Sequence, residues 1–226
     1  MPRADVVVIG AGLAGLSCAA ELAEAGASVF VAAKGMATTH WTHGGLDVAA
    51  PAGATTPRDG VRLLSRTDAH PYHRLAAATD AAVTAHLART AAEGLGHAGS
   101  LDAPLKPLPT AIGALRRAAV LPLAQAAALA PWAGAGLLVV GFRRFPDAWA
   151  AYAARNLAHA TWPDGPAEIR GVEVDLPTVD KLRNLGPQVM ARLFDDPAWR
   201  GPALAAIART VPAGIWRIGM PAGKWQ

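Results

Sequence analysis

Apolar runs and polar breaks divide the chain into short segments of two different periods. Residues 5–10 read DVVVIG, a run of β-branched side chains without polar alternation, which suits a buried parallel strand. Leu13 to Ala25 is rich in Ala, Leu and Glu and predicts a helix that Gly26 stops. Residues 28–33, SVFVAA, predict a second strand. Strand, tight turn, helix and strand in this order open a doubly wound α/β domain.

The pattern then loosens. Residues 34–65 are rich in Gly, Pro and Thr and read as loop, 73–94 as helix, and 95–112 as loop again. A second α/β pattern follows. It has a strand at 136–141 and a helix at 145–160, with Pro146 and Asp147 in the first turn. A strand region at 167–177 ends at Pro177. One or two helices broken near Gly186 and Pro187 come next, then a helix opened by Pro202 at its first turn, then a strand at 214–220. The chain holds no internal repeat and no low-complexity segment.

Composition narrows the options. With 226 residues, 52% of them hydrophobic, the chain can bury a sizeable core. The net charge is +4, yet Lys and Arg are scattered, with no run beyond the doublets Arg116–Arg117 and Arg143–Arg144. A nucleic-acid surface would need a clustered stripe or stacking aromatics, so no nucleic acid is expected as a partner. Cys18 is the single cysteine, which excludes an intrachain disulfide, a thiolate zinc site and a cluster held by this chain alone. It is expected to pack in its helix as a small apolar residue. Ala118 to Phe142 carries no charge, but Pro122, Gln125, Pro131 and the glycines of this stretch break it. It reads as a short helix, a loop and a buried strand rather than a membrane span. The apolar N-terminus resembles a signal peptide only superficially. Asp5 interrupts the basic region and glycines occupy the apolar part, so the start reads as the first strand and helix of a cytosolic domain.

Those glycines carry the first chemistry. Gly10, Gly12 and Gly15 form G-x-G-x-x-G between a predicted strand and helix. The first glycine permits the tight turn, the second lets a pyrophosphate approach the backbone, and the third lets helix and strand pack closely. Gly10, Ala11, Gly12, Leu13, Ala14 and Gly15 are therefore the candidate nucleotide-binding loop. The acidic residue that usually accepts the ribose hydroxyls after the second strand is absent. Ala33 stands there, with Lys34 next. The expected fold is α/β, a Rossmann-like FAD/NAD(P)-binding half-domain over residues 1–50. A helical and α/β region fills 51–226.

Several segments then follow one another in order: KGMATTHWTHGGLDV, AHPY at 69–72, LPTAIGALRRA at 108–118, LLVVGFRRFPDA at 137–148 and VDLPTVDKLRN at 174–184. With GAGLAG they resemble the B subunit of the anaerobic glycerol-3-phosphate dehydrogenases, flavoproteins of the fumarate reductase-like type. The resemblance runs over essentially the whole chain. It implies a flavin, FAD or FMN, and oxidation of sn-glycerol 3-phosphate to dihydroxyacetone phosphate with electrons passed to quinone. It also implies two partners, a second flavoprotein subunit and an iron–sulfur subunit that docks the complex on the membrane. The chain would then be cytoplasmic and peripheral on the inner face of the cell membrane. A missing acidic residue after the second strand is usual for this family. Its members are close to twice as long and return to the nucleotide-binding domain with C-terminal strands, which implies that residues 51–226 are an inserted region. The present chain is therefore expected to lack that C-terminal part and to leave apolar sheet faces open. Activity of the chain alone is in question for the same reason.

The resemblance also recasts TTHWTHGGLD at 38–47. In that superfamily the loop after the second strand passes close to the flavin ring. Gly44 and Gly45 would bring backbone N–H groups to it. Relatives with covalent flavin carry a histidine six residues before the first such glycine, and here that position is Thr38, so the flavin is expected to be non-covalent. His40 and His43 are candidates for a catalytic base or for stabilising reduced flavin. With His70 and His73 they could be imagined as a four-histidine metal site. Threonines at 38, 39 and 42, Pro71, and the lack of a matching acidic or cysteine ligand argue against a metal. Arg116 and Arg117 are candidates for a substrate phosphate. The resemblance places substrate oxidation on the other flavoprotein subunit, with this chain relaying electrons. Two other readings stay open: another FAD/NAD(P)-linked oxidoreductase, and a non-catalytic structural or interaction subunit that keeps the fold.

Overall fold

The structure is a computed structural model that describes residues 3–35, 37, 42–177, 179 and 185–220. It divides into two compact units, Met1–Gly44 and Gly45–Gln226. The division falls earlier than the boundary expected at residue 50. The reason is local: the segment after Gly45 is hydrogen-bonded to residues of the second unit, as described below.

In the first unit, β1 (Val6–Ile9) and β2 (Val29–Ala32) pair in parallel, with Val6 opposite Val29 and Ile9 opposite Ala32. The crossover is α1 (Leu13–Glu24). Asp5 and Ser28 staple the entry ends of the two strands. The Ser28 N–H and hydroxyl both donate to the Asp5 carboxylate, at 2.9 and 2.8 Å, and the Asp5 N–H donates back to Ser28 Oγ at 3.0 Å. The pattern of β1 predicts burial on both faces, but Val7 and Ile9 are 58% and 88% exposed. Successive strand side chains point to opposite faces, so Val8 lies on the α1 side while the face bearing Val7 and Ile9 stands open. Cys18 is exposed on α1, contrary to the expectation that it packs as a small core residue, because no residue of α1 is fully buried.

The second unit begins with α2 (Pro57–Leu64) and α3 (Tyr72–Ala92). The sequence pattern reads the α2 stretch as loop. Thr56 starts the helix by accepting a hydrogen bond from the Asp59 N–H at 3.1 Å, and Pro57 fits the first helical position. Two short antiparallel pairs follow: β3 (His97–Gly99) with β6 (Val120–Pro122), and β4 (Lys106–Pro109) with β5 (Leu115–Ala118). The charge-free stretch is divided between β6, a 3-10 helix at Leu123–Leu129 and the next strand. Among the described residues no helix is long and apolar enough to cross a membrane.

That next strand, β7 (Gly136–Phe142), is the centre of a three-stranded parallel sheet, flanked by β8 (Ile169–Val174) and β9 (Trp216–Gly219). Its sequence GLLVVGF has no polar position because helices cover both faces. Leu138, Val140 and Phe142 pack with Met190, Phe194, Trp199 and Ile207, from α5 (Pro187–Asp195) and α6 (Pro197–Ala208). On the other face, Leu137 packs with Trp132 and with Leu157 of α4 (Ala150–Ala158).

Two helix starts differ from expectation. Pro146 and Asp147 precede α4 rather than opening it. The Glu173 carboxylate of neighbouring β8 accepts the Ala150 N–H at 2.9 Å and so fixes the first turn there. Pro202 lies inside α6 rather than at its start, because Asp196 already caps the helix through the Ala198 N–H at 2.9 Å, followed by Pro197.

Candidate cofactor site

The glycine loop sits where β1 turns into α1. Gly10 has φ +104°, a left-handed conformation that disfavours any side chain, and its N–H donates to Ala32 O at 2.8 Å. A Cβ on Gly15 would lie 2.1 Å from Gly10 O, so the helix can approach the turn this closely only without a side chain. A Cβ on Gly12 would meet nothing within 4 Å, so the space over that glycine is open. Gly12 is the N-cap of α1 and makes no side-chain capping bond; Leu16 N–H is the donor that closes back onto Gly12 O. The amides of Leu13, Ala14 and Gly15 precede it and have no helical acceptor four residues back. They form the positive end of the helix dipole, beside Ala11. Ala33 and Lys34 are exposed at the carboxyl end of β2. Since Ile9 and Ala32 are register partners, they lie at the same edge of this sheet as the glycine turn. The residues therefore suit a dinucleotide pyrophosphate: open backbone, free helical amides and a cation at the strand ends.

The second candidate segment surrounds Gly44 and Gly45. Thr38 and His40 lie outside the described residues. His43 is half-buried, and Gly44 has φ +77°. The chain that follows is tied down bond by bond. Leu46 N–H donates to Val120 O at 3.0 Å. Asp47 forms an ion pair with Arg116. Val48 O accepts the Tyr72 hydroxyl at 2.6 Å. Arg117 donates to Pro51 O at 3.2 Å and also to Ala54 O. A Cβ on Gly60 would lie 2.5 Å from Ala49 O, so α2 packs directly against this segment. Arg116 and Arg117, candidates for phosphate ligands on sequence grounds, thus both engage residues 47–54.

The AHPY motif supplies one of these anchors. His70 Nδ1 accepts the Tyr72 N–H at 3.1 Å and so helps start α3. His73 Nδ1 lies 3.0 Å from Ser65 O at the end of α2. A carbonyl only accepts, so that nitrogen carries the proton. Burial raises the Tyr72 phenol above its ordinary pKa, which keeps its proton available for Val48 O. His70 and His73 therefore work within the α2–α3 corner. Among the described residues no group of three or more His, Cys, Asp or Glu side chains could hold a metal ion.

A cleft of about 330 Å³ lies between α2 and α3, lined by Arg58, Arg62, Thr79 and Asp80 among others. Its cations are neutralised. Arg58 pairs with Asp80 and makes a two-pronged contact with Asp102 at 2.6 and 3.0 Å, and Arg62 pairs with Asp59 at 2.7 Å. The Arg58 hydrogen bonds hold the Asp102 carboxyl below its ordinary pKa. The cleft therefore offers a phosphate little net positive charge.

The model of the family described as FAD binding domain matches residues 5–211. A nucleotide-type glycine turn inside a match covering most of the sequence defines the class: the chain belongs to the FAD binding domain family. Among curated proteins it is 32% identical to the B subunit of the anaerobic glycerol-3-phosphate dehydrogenase of Pectobacterium atrosepticum, over 97% of this chain and 54% of that protein. It is 33% identical to the probable B subunit of the same dehydrogenase in Halobacterium salinarum, over 97% of this chain and 52% of that protein. A shorter match, 40% identical over 76 residues, is to the corresponding B subunit of Aliivibrio fischeri, over 31% of this chain and 17% of that protein. The chain spans about half the length of the curated relatives that it matches along most of its sequence. No solved structure matches it.

Proposed function

We propose that this chain binds FAD non-covalently and serves as a subunit of a flavin-dependent dehydrogenase that oxidises sn-glycerol 3-phosphate to dihydroxyacetone phosphate. The observation that carries the reading is the glycine turn. Gly12 leaves its backbone uncovered and the first amides of α1 lack helical acceptors, within a chain of the FAD binding domain family. Leu13, Ala14 and Gly15 would donate N–H groups to the pyrophosphate, and Lys34 would face the adenosine half. Bound FAD would supply hydride acceptance and onward electron transfer. Gly44 and Gly45 would place backbone donors against the ring, and His43, with His40, would tune it or hold a proton beside it.

The names of the relatives support the substrate and the subunit role. In this reading a second flavoprotein subunit and an iron–sulfur subunit complete the enzyme, and quinone takes the electrons. The complex sits on the inner face of the cell membrane through those partners. The single cysteine agrees with iron–sulfur centres on another chain.

The test is a titration of the purified chain with FAD, followed by the flavin band at about 450 nm. Adding sn-glycerol 3-phosphate with the partner subunits should then bleach that band. A chain that neither retains nor takes up FAD refutes the reading.

A further inference from the structure

We infer that Arg116, Asp47 and Tyr72 form a clamp that positions the Gly44–Gly45 step, and that cofactor affinity depends on it. The inference deepens the proposed function and rests on its placing of those glycines against the flavin.

A glycine pair lacks side chains to restrict it. Two consecutive glycines have the widest backbone freedom, so anchors on the residues beside them help decide where the step lies. A donor array is useful to a ligand only when it is fixed beforehand, because ordering it on binding costs affinity. The next three residues are each held by a different element. Leu46 N–H bonds to Val120 O of β6 at 3.0 Å. The Asp47 carboxylate pairs with Arg116 of β5, whose side chain is only 23% exposed. Val48 O receives the Tyr72 hydroxyl from the first turn of α3 at 2.6 Å. Ala49 then packs against Gly60 of α2. Two strands and two helices thus converge on consecutive residues directly after the glycines.

The anchors lie far apart in sequence, so chance local geometry does not explain them. The pairing is also specific in chemistry. Arg116 meets the only acidic side chain between residues 34 and 58, and Tyr72 uses the only hydroxyl in its first helical turn. Arg116 and Tyr72 therefore act through the main chain of residues 46–48. They are positioning residues, not ligands of substrate.

The experiment uses the full chain and the variants Arg116→Met, Arg116→Lys and Tyr72→Phe. Two quantities are read on each: amide hydrogen exchange of the 45–48 segment without ligand, where the Leu46 amide is the reporter, and the dissociation constant for FAD. A partly exposed pair or single hydroxyl of this kind is expected to change each quantity about fivefold. Exchange should quicken and FAD binding weaken in Arg116→Met and in Tyr72→Phe. Arg116→Lys should recover part of both. Tyr72→Phe keeps the test decisive should Arg116→Met misfold, since it removes a single oxygen. Unchanged exchange in the folded variants overturns the clamp. Faster exchange with unchanged FAD affinity overturns its link to the cofactor. No FAD binding by the unaltered chain overturns the functional reading, and the cofactor half of this inference with it, while exchange still reports on the clamp.

Discussion

Gly15→Ala and Gly12→Ala separate folding from binding within one six-residue loop. At Gly15 the new methyl would lie 2.1 Å from Gly10 O, 3.1 Å from Gly10 C and 3.4 Å from a Val8 methyl. The closest atom belongs to the backbone of a turn fixed by φ +104° at Gly10, so it cannot rotate aside. Relief requires α1 to move away from β1 by about 1 Å, and such overpacking costs about 1–3 kcal/mol. Alanine regains up to about 1 kcal/mol of helix propensity. The clash wins, and a net loss of about 1–2 kcal/mol is expected. At Gly12, by contrast, φ is −76° and a methyl meets nothing within 4 Å, so stability should be unchanged or slightly improved. The same methyl would stand where the pyrophosphate approaches, so FAD affinity should fall by about tenfold or more. Because Met1–Gly44 is a compact unit of its own, the stability readout should be local: amide exchange in β1 and β2. Titration with FAD supplies the second axis. Gly12→Ala with undiminished FAD affinity would refute the assignment of the turn as a pyrophosphate cradle. Unaltered exchange in Gly15→Ala would refute the close packing.

Three further outcomes follow from the structure. The backbone hydrogen bond from Ser28, then its hydroxyl, lowers the Asp5 pKa below the ordinary 3.8. The staple's contribution is therefore fully present above that value and is lost as pH falls through the lower folded pKa. Amide exchange at the ends of β1 and β2 should rise below pH 3.8, and Asp5→Asn should remove that pH dependence. Phe142 is 1% exposed, with ring centroids 5.8 Å from Phe194 and 6.5 Å from Phe145; Phe142→Ala should cost about 4 kcal/mol in urea unfolding of the second unit. Pro202 interrupts the hydrogen-bond ladder of α6, so Pro202→Ala should stabilise by about 1–2 kcal/mol, the helix gain outweighing the freer unfolded chain, and a lower urea midpoint would refute this.

Features set by neighbours in the chain are legible in the sequence, and features set by distant partners are not. The β1–α1–β2 unit and its glycine turn are readable because period, turn and cap all lie within residues 5–33. The extent of α6 is not, because Pro202 is a good opening residue in isolation and the actual cap, Asp196, is hidden beside a second acid, Asp195. The start of α4 depends on Glu173 of a neighbouring strand, which no local pattern announces. The exposure of Cys18 escapes the local pattern for the same reason, since burial of a helix face is decided by what covers it.

The arginine pair makes the point most directly for the site. Two adjacent cations in a sequence that resembles an enzyme of a phosphorylated substrate invite a phosphate-binding role. On β5, however, adjacent residues point to opposite faces. One guanidinium reaches the Asp47 carboxylate, while the other caps the carbonyls of Pro51 and Ala54. Both forks are nevertheless engaged by residues 47–54, so a phosphate ligand would have to compete with those bonds. What the doublet can do is hold two places along one loop. That is the geometry observed, and it turns attention from the cations to the main chain they fix after Gly45.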